Sequence, residues 1–285
     1  MDRAKKAYPV SLLCRVLGVS RSGYYTWQAD SRKDYRQEND KLILLVRQIH
    51  QESDGTYGTR RMAKALRTHG ITCGRCRTRT LMRLAGVKVK RKKRFRITTD
   101  SKHNLPVAPN LLQRQFDVSE PNCAWVGDIT YIWTSEGWLY LATVMDLFSR
   151  QIVGWSLQSR MTQKLVSDAL LMAIWRRRPA PGLIFHSDRG SQYCSSYFQG
   201  LLKVHKIQSS MSRKGDCWDN AVMERFFGSL KSERVAFRNY RTRETARQDI
   251  IAWIEMFYNS KRRHSYLGYV SPREFEKTRA QSMAT

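Results

Sequence analysis

The sequence predicts small all-α units at the N-terminus followed by an α/β domain built on a mixed sheet. Three observations lead there. Up to about residue 86, apolar residues recur at helical spacing. From Ala124 they crowd into short β-branched and aromatic runs. The order after Ala124 is β-β-β-α-β-α-β-α, in which three hairpin-linked strands are followed by βαβ units, as in a mixed sheet with helices on its faces.

Charge and composition narrow the class. The 285 residues include 51 Lys+Arg and 24 Asp+Glu, a net charge of +27. Residues 1–110 hold 26 and 8 of these, so the positive charge is densest in the helical region. Such a balance favours a polyanionic partner. Hydrophobic residues make up 41% of the chain and eight are Trp, which excludes wholesale disorder. No apolar run approaches the ~18–20 residues of a membrane span. Met1 to Val10 lacks the apolar stretch of a secretory signal, and six Cys do not make a disulfide scaffold. These features predict a cytoplasmic protein with no membrane partner.

The first helical unit runs from Ser11 to Trp27. Leu13, Val16 and Leu17 share one helical face, Gly18 suits the turn, and Ser20 can cap a second helix presenting Arg21, Ser22 and Tyr25. That outline is a helix-turn-helix. A second unit follows. Leu42, Leu45, Val46 and Ile49 mark one amphipathic helix, which Gly55-Thr-Tyr-Gly58 ends. Thr59 can cap a helix through Leu66, closed by His69-Gly70, and a third helix spans Gly74 to Ala85. Arg75, Arg79 and Arg83 fall at i, i+4, i+8 and line one stripe of that helix, as a groove-reading helix requires. Cys73-Gly-Arg-Cys76 lacks a second ligand pair for zinc, and Cys76 is read as core packing. Lys88 to Arg96 has seven basic residues in nine, among them Lys90, Arg91, Lys92 and Lys93, and reads as a phosphate-tracking tether. Ile97 to Phe116, with Pro106 and Pro109, reads as a linker.

Strands are predicted over Ala124–Trp133, Trp138–Met145, Arg150–Leu157, Leu183–Phe185 and Ile207–Met211. Helices are predicted from Thr162 to Arg177, with Leu165, Ala169, Met172 and Trp175 inward, from Ser195 to Lys203, and onward from about Asp219.

Three acids are out of place in this pattern. Asp128 interrupts an apolar strand, where a lone buried carboxylate is very costly and calls for a cation. Asp188 directly follows the buried run Leu183–Ser187, at the strand end where ligands of open α/β sheets gather. On the helix after Asp219, the 3.6-residue period puts Val222, Met223, Phe226, Phe227 and Leu230 on one side and Glu224, Gly228 and Lys231 along another edge. Gly228 leaves room beside the acid, and Lys231 supplies a phosphate-binding cation. Three carboxylates from separate segments suit hard divalent cations. Two such ions suit in-line displacement at phosphorus. Pairing of Asp128 with a nearby Arg is the competing structural explanation. The segment Ser212–Trp218 carries Arg213, Lys214 and Trp218 as DNA-contact candidates in a loop that closes over substrate.

Fifty-nine residues separate Asp128 from Asp188, and 35 separate Asp188 from Glu224, with Lys231 seven beyond. This resembles the D,D-35-E signature of DDE transposases and retroviral-type integrases. Trp125–Ile132, Asp146-Leu-Phe-Ser-Arg150, His186–Tyr193, Asp219–Lys231 and Tyr258–Ser265 resemble more narrowly the bacterial insertion-sequence-three family, as do Ser11–Trp27 and Gly55–Arg61. The chain looks like that family's second-frame product. The resemblance implies an RNase H-like catalytic core and catalysis by Asp128, Asp188 and Glu224 with two Mg²⁺ ions, Mn²⁺ being able to substitute. It implies cleavage and strand transfer at terminal inverted repeats and into target DNA, by a homo-oligomer on DNA ends. It also implies a first-frame partner, or a frameshift fusion with it, carrying a further helix-turn-helix and a leucine zipper absent here. The domain reading is then 1–30, a helix-turn-helix segment; 31–96, a trihelical DNA-binding unit; 97–117, a linker; 118–277, the catalytic core; and 278–285, a tail. A structure-selective nuclease of the same fold and a non-catalytic regulator are the alternatives. The implied location is the bacterial cytoplasm, at the nucleoid.

Overall fold

The computed structural model describes residues 7–28, 31–90, 106–213 and 217–283. The chain divides into two units, Met1–Val89 and Lys90–Thr285. No helix among the described residues is long and apolar enough to cross a membrane.

The first unit is all helical: α1 (Val10–Val16), α2 (Arg21–Gln28), α3 (Ser31–Glu52), α4 (Thr59–Thr68) and α5 (Arg75–Leu84). Gly18 takes φ +62° in the turn after α1, a backbone conformation that costs glycine least. The Ser20 hydroxyl accepts the Gly23 N–H at 3.0 Å and caps α2 as predicted. The inward face of α1 is not the predicted one. Cys14 is its buried residue, whereas Val16 and Leu17 are exposed. Two short helices crossing once enclose little, and here they enclose Cys14 and Tyr24. In the trihelical part Leu42, Val46 and Ile49 of α3 are buried, as are Met62, Ala65 and Leu66 of α4 and Thr78, Leu81 and Met82 of α5. Gly58, not Thr59, caps α4. Cys73 is buried, but Cys76 is exposed beside Arg75, since it stands two positions before buried Thr78, about 200° around the helix.

The second unit is a five-stranded sheet in the order β3-β2-β1-β4-β5. Its elements are β1 (Ala124–Thr134), β2 (Gly137–Asp146), β3 (Ile152–Gln158), α6 (Gln163–Arg177), β4 (Ile184–Ser187), α7 (Ser191–Cys194), α8 (Ser196–Val204), β5 (Gln208–Met211), α9 (Ala221–Glu233), α10 (Arg243–Ala252) and α11 (Pro272–Met283). β1, β2 and β3 pair antiparallel; β4 is parallel to β1 and β5 to β4. Each sheet face has its own core. On one, Val126, Ile132, Leu139 and Leu141 meet Met223, Phe226 and Leu230 of α9, Ile250 of α10, and the π-helical turn Trp253–Tyr258. On the other, Trp125, Val144, Val153 and Phe185 meet α6, α7 and α8. The sequence pattern predicts elements only as far as α9; α10 and the π-helical turn complete the first face, while α11 meets Phe148 and Arg177 and runs through position 278, where a tail is expected.

Two further expectations are corrected. Trp175 is 74% exposed, and the inward face of α6 is Leu165, Val166, Ala169, Leu170 and Ala173. Close approach selects this face, because Gly154 of β3 lies directly beneath Ala169 and Ala173. From residue 106 the expected linker is docked on the second unit. Leu112 is buried in the core, and the Leu111 and Leu112 N–H groups donate to the Ser210 hydroxyl at 2.9 and 3.2 Å.

A methyl group at position 154 would stand 2.1 Å from the Ala169 carbonyl oxygen, a backbone atom that cannot rotate aside. Gly154→Ala should therefore force α6 off the sheet and cost about 1–3 kcal/mol, as overpacking does. Urea unfolding checks this as a lowered midpoint.

Candidate active site

The β1–β4 ladder sets the geometry. Ala124, Trp125 and Val126 pair with Ile184, Phe185 and His186, a constant offset of 60 positions. Asp128 and Asp188 have the same offset and so stand level where the two strands part. Neighbouring strands lie about 4.8 Å apart, and residues level on parallel strands face the same way. Gly127 allows the close fit here: the Phe185 ring occupies the space where its Cβ would be.

Asp128 Oδ1 accepts the N–H of Ile129 at 2.7 Å, and Asp188 Oδ1 accepts the N–H of Gly190 at 2.9 Å. Burial pushes the Asp128 carboxyl well above the usual carboxylate range; the Asp188 charge adds to this, and Glu224 adds less, while Lys231 opposes them. Burial also raises Glu224. The phenol of Tyr193, buried beneath the pair, is raised by burial and by both aspartates. So the structure brings Asp188, at the end of β4, and Glu224, on α9, within electrostatic reach of Asp128 on β1. They are not drawn into a closed shell: among the described residues no three His, Cys, Asp or Glu side chains form a metal-holding group. The donor set is nonetheless all hard oxygen, and its most buried member is destabilised as an anion by its neighbours. That chemistry fits a divalent cation.

Lys231 is half-buried on the Glu224 edge of α9, with its ammonium 4.7 Å from the Tyr131 ring centroid. The α9 face follows the helical period, with Met223, Phe226, Phe227 and Leu230 buried, Glu224 exposed and Gly228 half-buried. No arginine is the main partner of Asp128; the opposing cation is Lys231.

Another acid, which the sequence pattern marks only as a helix start, organises the surroundings. Asp219 lies in the 3₁₀ turn Cys217–Asn220 ahead of α9 and is 1% exposed. Its carboxylate accepts the Arg213 N–H at 2.9 Å, Asn110 Nδ2 at 3.0 Å and Arg114 Nε at 2.8 Å. Burial alone would raise its pKa, but the Arg213 N–H and then the Arg114 guanidinium outweigh it and hold Asp219 below the usual range. Beside it, buried His186 has Nδ1 2.9 Å from the Ser210 hydroxyl and Nε2 3.2 Å from that of Ser212. Burial pushes its pKa down to about 4, against the pull of Asp219. Arg189 Nε donates to the Ser212 carbonyl at 2.7 Å. The stretch between β5 and α9 is thereby fixed at Ser212 and Arg213 on one side and at Asp219 on the other. Only the Arg189 and His186 end of this network carries a sequence signal, as neighbours of Asp188; the Asn110 and Arg114 contacts span more than 100 positions.

The other candidates lie as follows. Arg213 is exposed. Lys214, and the side chain of Trp218, fall outside the described residues. In the helical unit Arg21 of α2 is exposed, as are Arg75, Arg79 and Arg83 of α5. Lys90 is half-buried, and Arg91, Lys92 and Lys93 fall outside the described residues.

Comparison with known proteins gives the family. A model of the integrase core domain matches residues 118–217 and a second one residues 205–272, while an HTH-like domain model matches residues 37–95. The transposase InsF for insertion sequence IS3A of Escherichia coli strain K12 is 42% identical, over 97% of this chain and 96% of that protein. The chain belongs to the IS3 transposase family. A 31 kDa protein of insertion element IS600 from Shigella sonnei is 45% identical over 95% of this chain and all of that one. Among solved structures, a chain of the simian T-cell lymphotropic virus intasome matches with 17% identity and a TM-score of 0.47, covering 75% of this chain and 69% of that one. The catalytic core of BIV integrase matches with 20% identity and a TM-score of 0.44, covering 57% and 99%. The IS3-family chain is thus a DDE transposase by family. It pairs an integrase core on a mixed five-stranded sheet with an HTH-like domain, and the two domains imply binding to DNA.

Asp219→Asn keeps the shape but loses the charge that Arg114 and the Arg213 N–H bind. It should cost about 1–3 kcal/mol at neutral pH. The native carboxyl is held below its unfolded pKa, so its contribution is complete above about pH 4 and is lost as pH falls through the lower native value. Urea midpoints of the two proteins measured from pH 7 down to pH 3 should therefore converge at the acid end.

Proposed function

We propose that Asp128, Asp188 and Glu224 form the catalytic centre for DNA cleavage and strand transfer at the terminal inverted repeats of an insertion sequence. The observation that carries this is the β1–β4 register, which sets Asp128 and Asp188 level where the strands part, with Glu224 of α9 near enough to act on Asp128. The three carboxylates would hold two Mg²⁺ ions, or Mn²⁺ in their place; when bound, these supply activation of the attacking oxygen and charge neutralisation at the leaving oxygen. The chain's own residues do the rest. β1 and β4 fix the two aspartates at one level. Asp219 fixes the start of the helix that carries Glu224. Lys231 stands on the same edge of that helix, where it can meet a phosphate oxygen near the scissile bond. Arg213, Lys214 and Trp218, which fall between β5 and α9 in the sequence, would contact the strand being cut.

Recognition of the ends is assigned to residues 1–96. Arg21, Arg75, Arg79 and Arg83 would enter grooves, and Lys90 to Lys93 would track phosphates. In this reading 1–30 and 31–96 are binding units, 97–117 joins them to the core, and 118–277 is catalytic. The partners are element ends and target DNA, a further copy of the chain on those ends, and the first-frame product or its fusion, at the nucleoid of a bacterial cytoplasm. The three acids and the family together favour this reading over a nuclease or a regulator.

Asp188→Asn should reduce both cleavage and joining of labelled element ends to background while DNA binding survives. Near-normal joining by the purified variant would sink the assignment. Neutralising Lys90, Arg91, Lys92 and Lys93 should weaken binding to all sequences, and flatten the plot of log K against log salt by about 0.9 for each phosphate no longer neutralised. Changing Arg75, Arg79 or Arg83 should instead reduce the preference for ends over random duplex, by about 1–3 kcal/mol where the hydrogen bonding to the base is bidentate. Titrations at several salt concentrations separate the two classes.

A further inference from the structure

The hairpin joining β1 to β2 carries an aromatic surface that neither core uses. Trp133 and Trp138 are directly opposed across the strands, with ring centroids 4.8 Å apart in an edge-to-face arrangement. Trp138 also meets Tyr131 edge-to-face at 5.0 Å. Despite this packing Trp133 is 60% and Trp138 42% exposed. Edge-to-face contact occupies the edge of one indole and leaves broad faces open to solvent. Cross-strand stabilisation of the hairpin accounts for the pairing, but two indoles bring far more apolar surface than an exposed turn needs.

The surroundings supply the charge. The segment between α9 and α10 lies against this hairpin: the Ser135 N–H donates to the Tyr240 carbonyl at 2.9 Å, and Arg243 Nε donates to the Trp138 carbonyl at 3.1 Å. Acids also stand nearby: Glu136, which accepts the Arg243 N–H, and Asp249, which is paired with Arg234 and accepts the Tyr240 hydroxyl close to Arg238. That segment carries Arg238 and Arg241, both exposed, and Arg243, half-buried. At the other end of the strip the Lys231 ammonium sits over Tyr131, facing the acids. Aromatic faces beside a basic track are the combination that holds unpaired nucleic acid, since every base offers a π-face and every nucleotide a phosphate.

Distance ties the strip to the chemistry. Trp133 follows Asp128 by five positions on one strand, about 17 Å at the rise of an extended chain, and the odd count turns it to the opposite face of the sheet. Lys231, which reaches both Asp128 and the Tyr131 ring, marks the β1 edge beyond the β4 pairing over which a DNA strand would pass. At duplex spacing the length from Asp128 to Trp133 is about five nucleotides, fewer where the strand is drawn out. We propose that Trp133 and Trp138 are a stacking platform for unpaired bases of the DNA strand about three to five nucleotides from the reacting phosphate, with Arg238, Arg241 and Arg243 holding its backbone. The proposal rests on the transposase reading of the acids and adds a site to it: the end is held open as single strand on the β1–β2 hairpin.

The test uses the full chain and two probes, a fully paired duplex and the same duplex with a five-nucleotide unpaired tail, the tail carrying 5-iodouracil for photo-cross-linking. The expected result is binding to the tailed duplex about tenfold tighter than to the paired one, with the cross-link mapped to Trp133 or Trp138. Replacing both Trp by Ala should remove that preference, and replacing both by Phe should keep part of it. Arg238→Gln with Arg241→Gln, which leaves the hairpin intact, should flatten the salt dependence for the tailed duplex. Equal binding of the two probes by the wild type, or a preference that survives in the Ala pair, overturns the platform. So does loss of self-association in the Ala pair with DNA binding unchanged, which would make the hairpin a protein contact. Cleavage and joining of element ends, assayed on the same preparation, keep the two readings apart. A Trp-dependent tail preference without cleavage leaves the platform and removes the catalytic reading; cleavage without tail preference does the reverse.

Discussion

The second unit is organised by a register. β1 and β4 pair with a constant offset of 60, and Asp128 and Asp188 share that offset. The two carboxylates are level because the ladder beneath them is level, not because any contact between them draws them together. Indeed they repel, and burial makes the repulsion worse. What opposes it is the apolar packing below: Val126 on one face, Trp125 and Phe185 on the other, all essentially buried. Side chains alternate along a strand, so a slip of one position would turn one acid to the opposite face of the sheet. The packed ladder therefore fixes in advance a like-charged pair that would otherwise separate.

The third acid is placed by different means. Glu224 sits on a helix whose buried face locks it to the sheet, but its height along the site depends on where that helix begins. That point is set by Asp219, whose carboxylate gathers a backbone N–H from beyond β5 and two side chains from the segment before β1. The charge on Asp219 is stabilised where that on Asp128 is destabilised. The contrast separates a structural carboxylate from the proposed catalytic one: the first is saturated with donors, the second has acids for neighbours. Asp146 stands between the two: it accepts the N–H groups of Asn122 and Phe148, but its full burial still raises its carboxyl above the usual range.

Much of this is legible in the sequence, for physical reasons. Asp128 stands out because a carboxylate amid Trp125, Val126, Ile129 and Ile132 breaks the solvation pattern of a buried strand. The edge of α9 shared by Glu224, Gly228 and Lys231 follows from helical period alone. β1 to β4 are readable because buried strands are rich in β-branched and aromatic residues, whereas β5, Gln208–Met211, holds neither kind and is marked by its place between two helices. Asp219 is not, since its partners lie more than 100 positions away and an acid ahead of a helix looks like any other helix start. The docked segment before β1 resembles a linker because its buried part, Leu112 with its neighbours, is too short to show periodicity. Trp175 and Val16 mislead because apolar residues also occur on surfaces. The reverse holds at the β1–β2 hairpin, where alternation is clear but gives no sign that Trp133 is left in solvent.

The segment from Pro106 to Leu112 has one more consequence, for the margin of the sheet. β5 is an outermost strand, and an outermost strand offers unpaired backbone groups to any other extended chain. Here Pro109 takes the Met211 N–H, and Ser210 is occupied by Leu111 and Leu112, so that margin is partly shielded by the chain's own preceding segment. A fragment begun at residue 118, where the integrase core model starts, would lack that shield. It would keep every acid and still expose a sticky rim, so an isolated core of this chain is a candidate for aggregation, whereas a fragment begun before residue 106 carries its own cover.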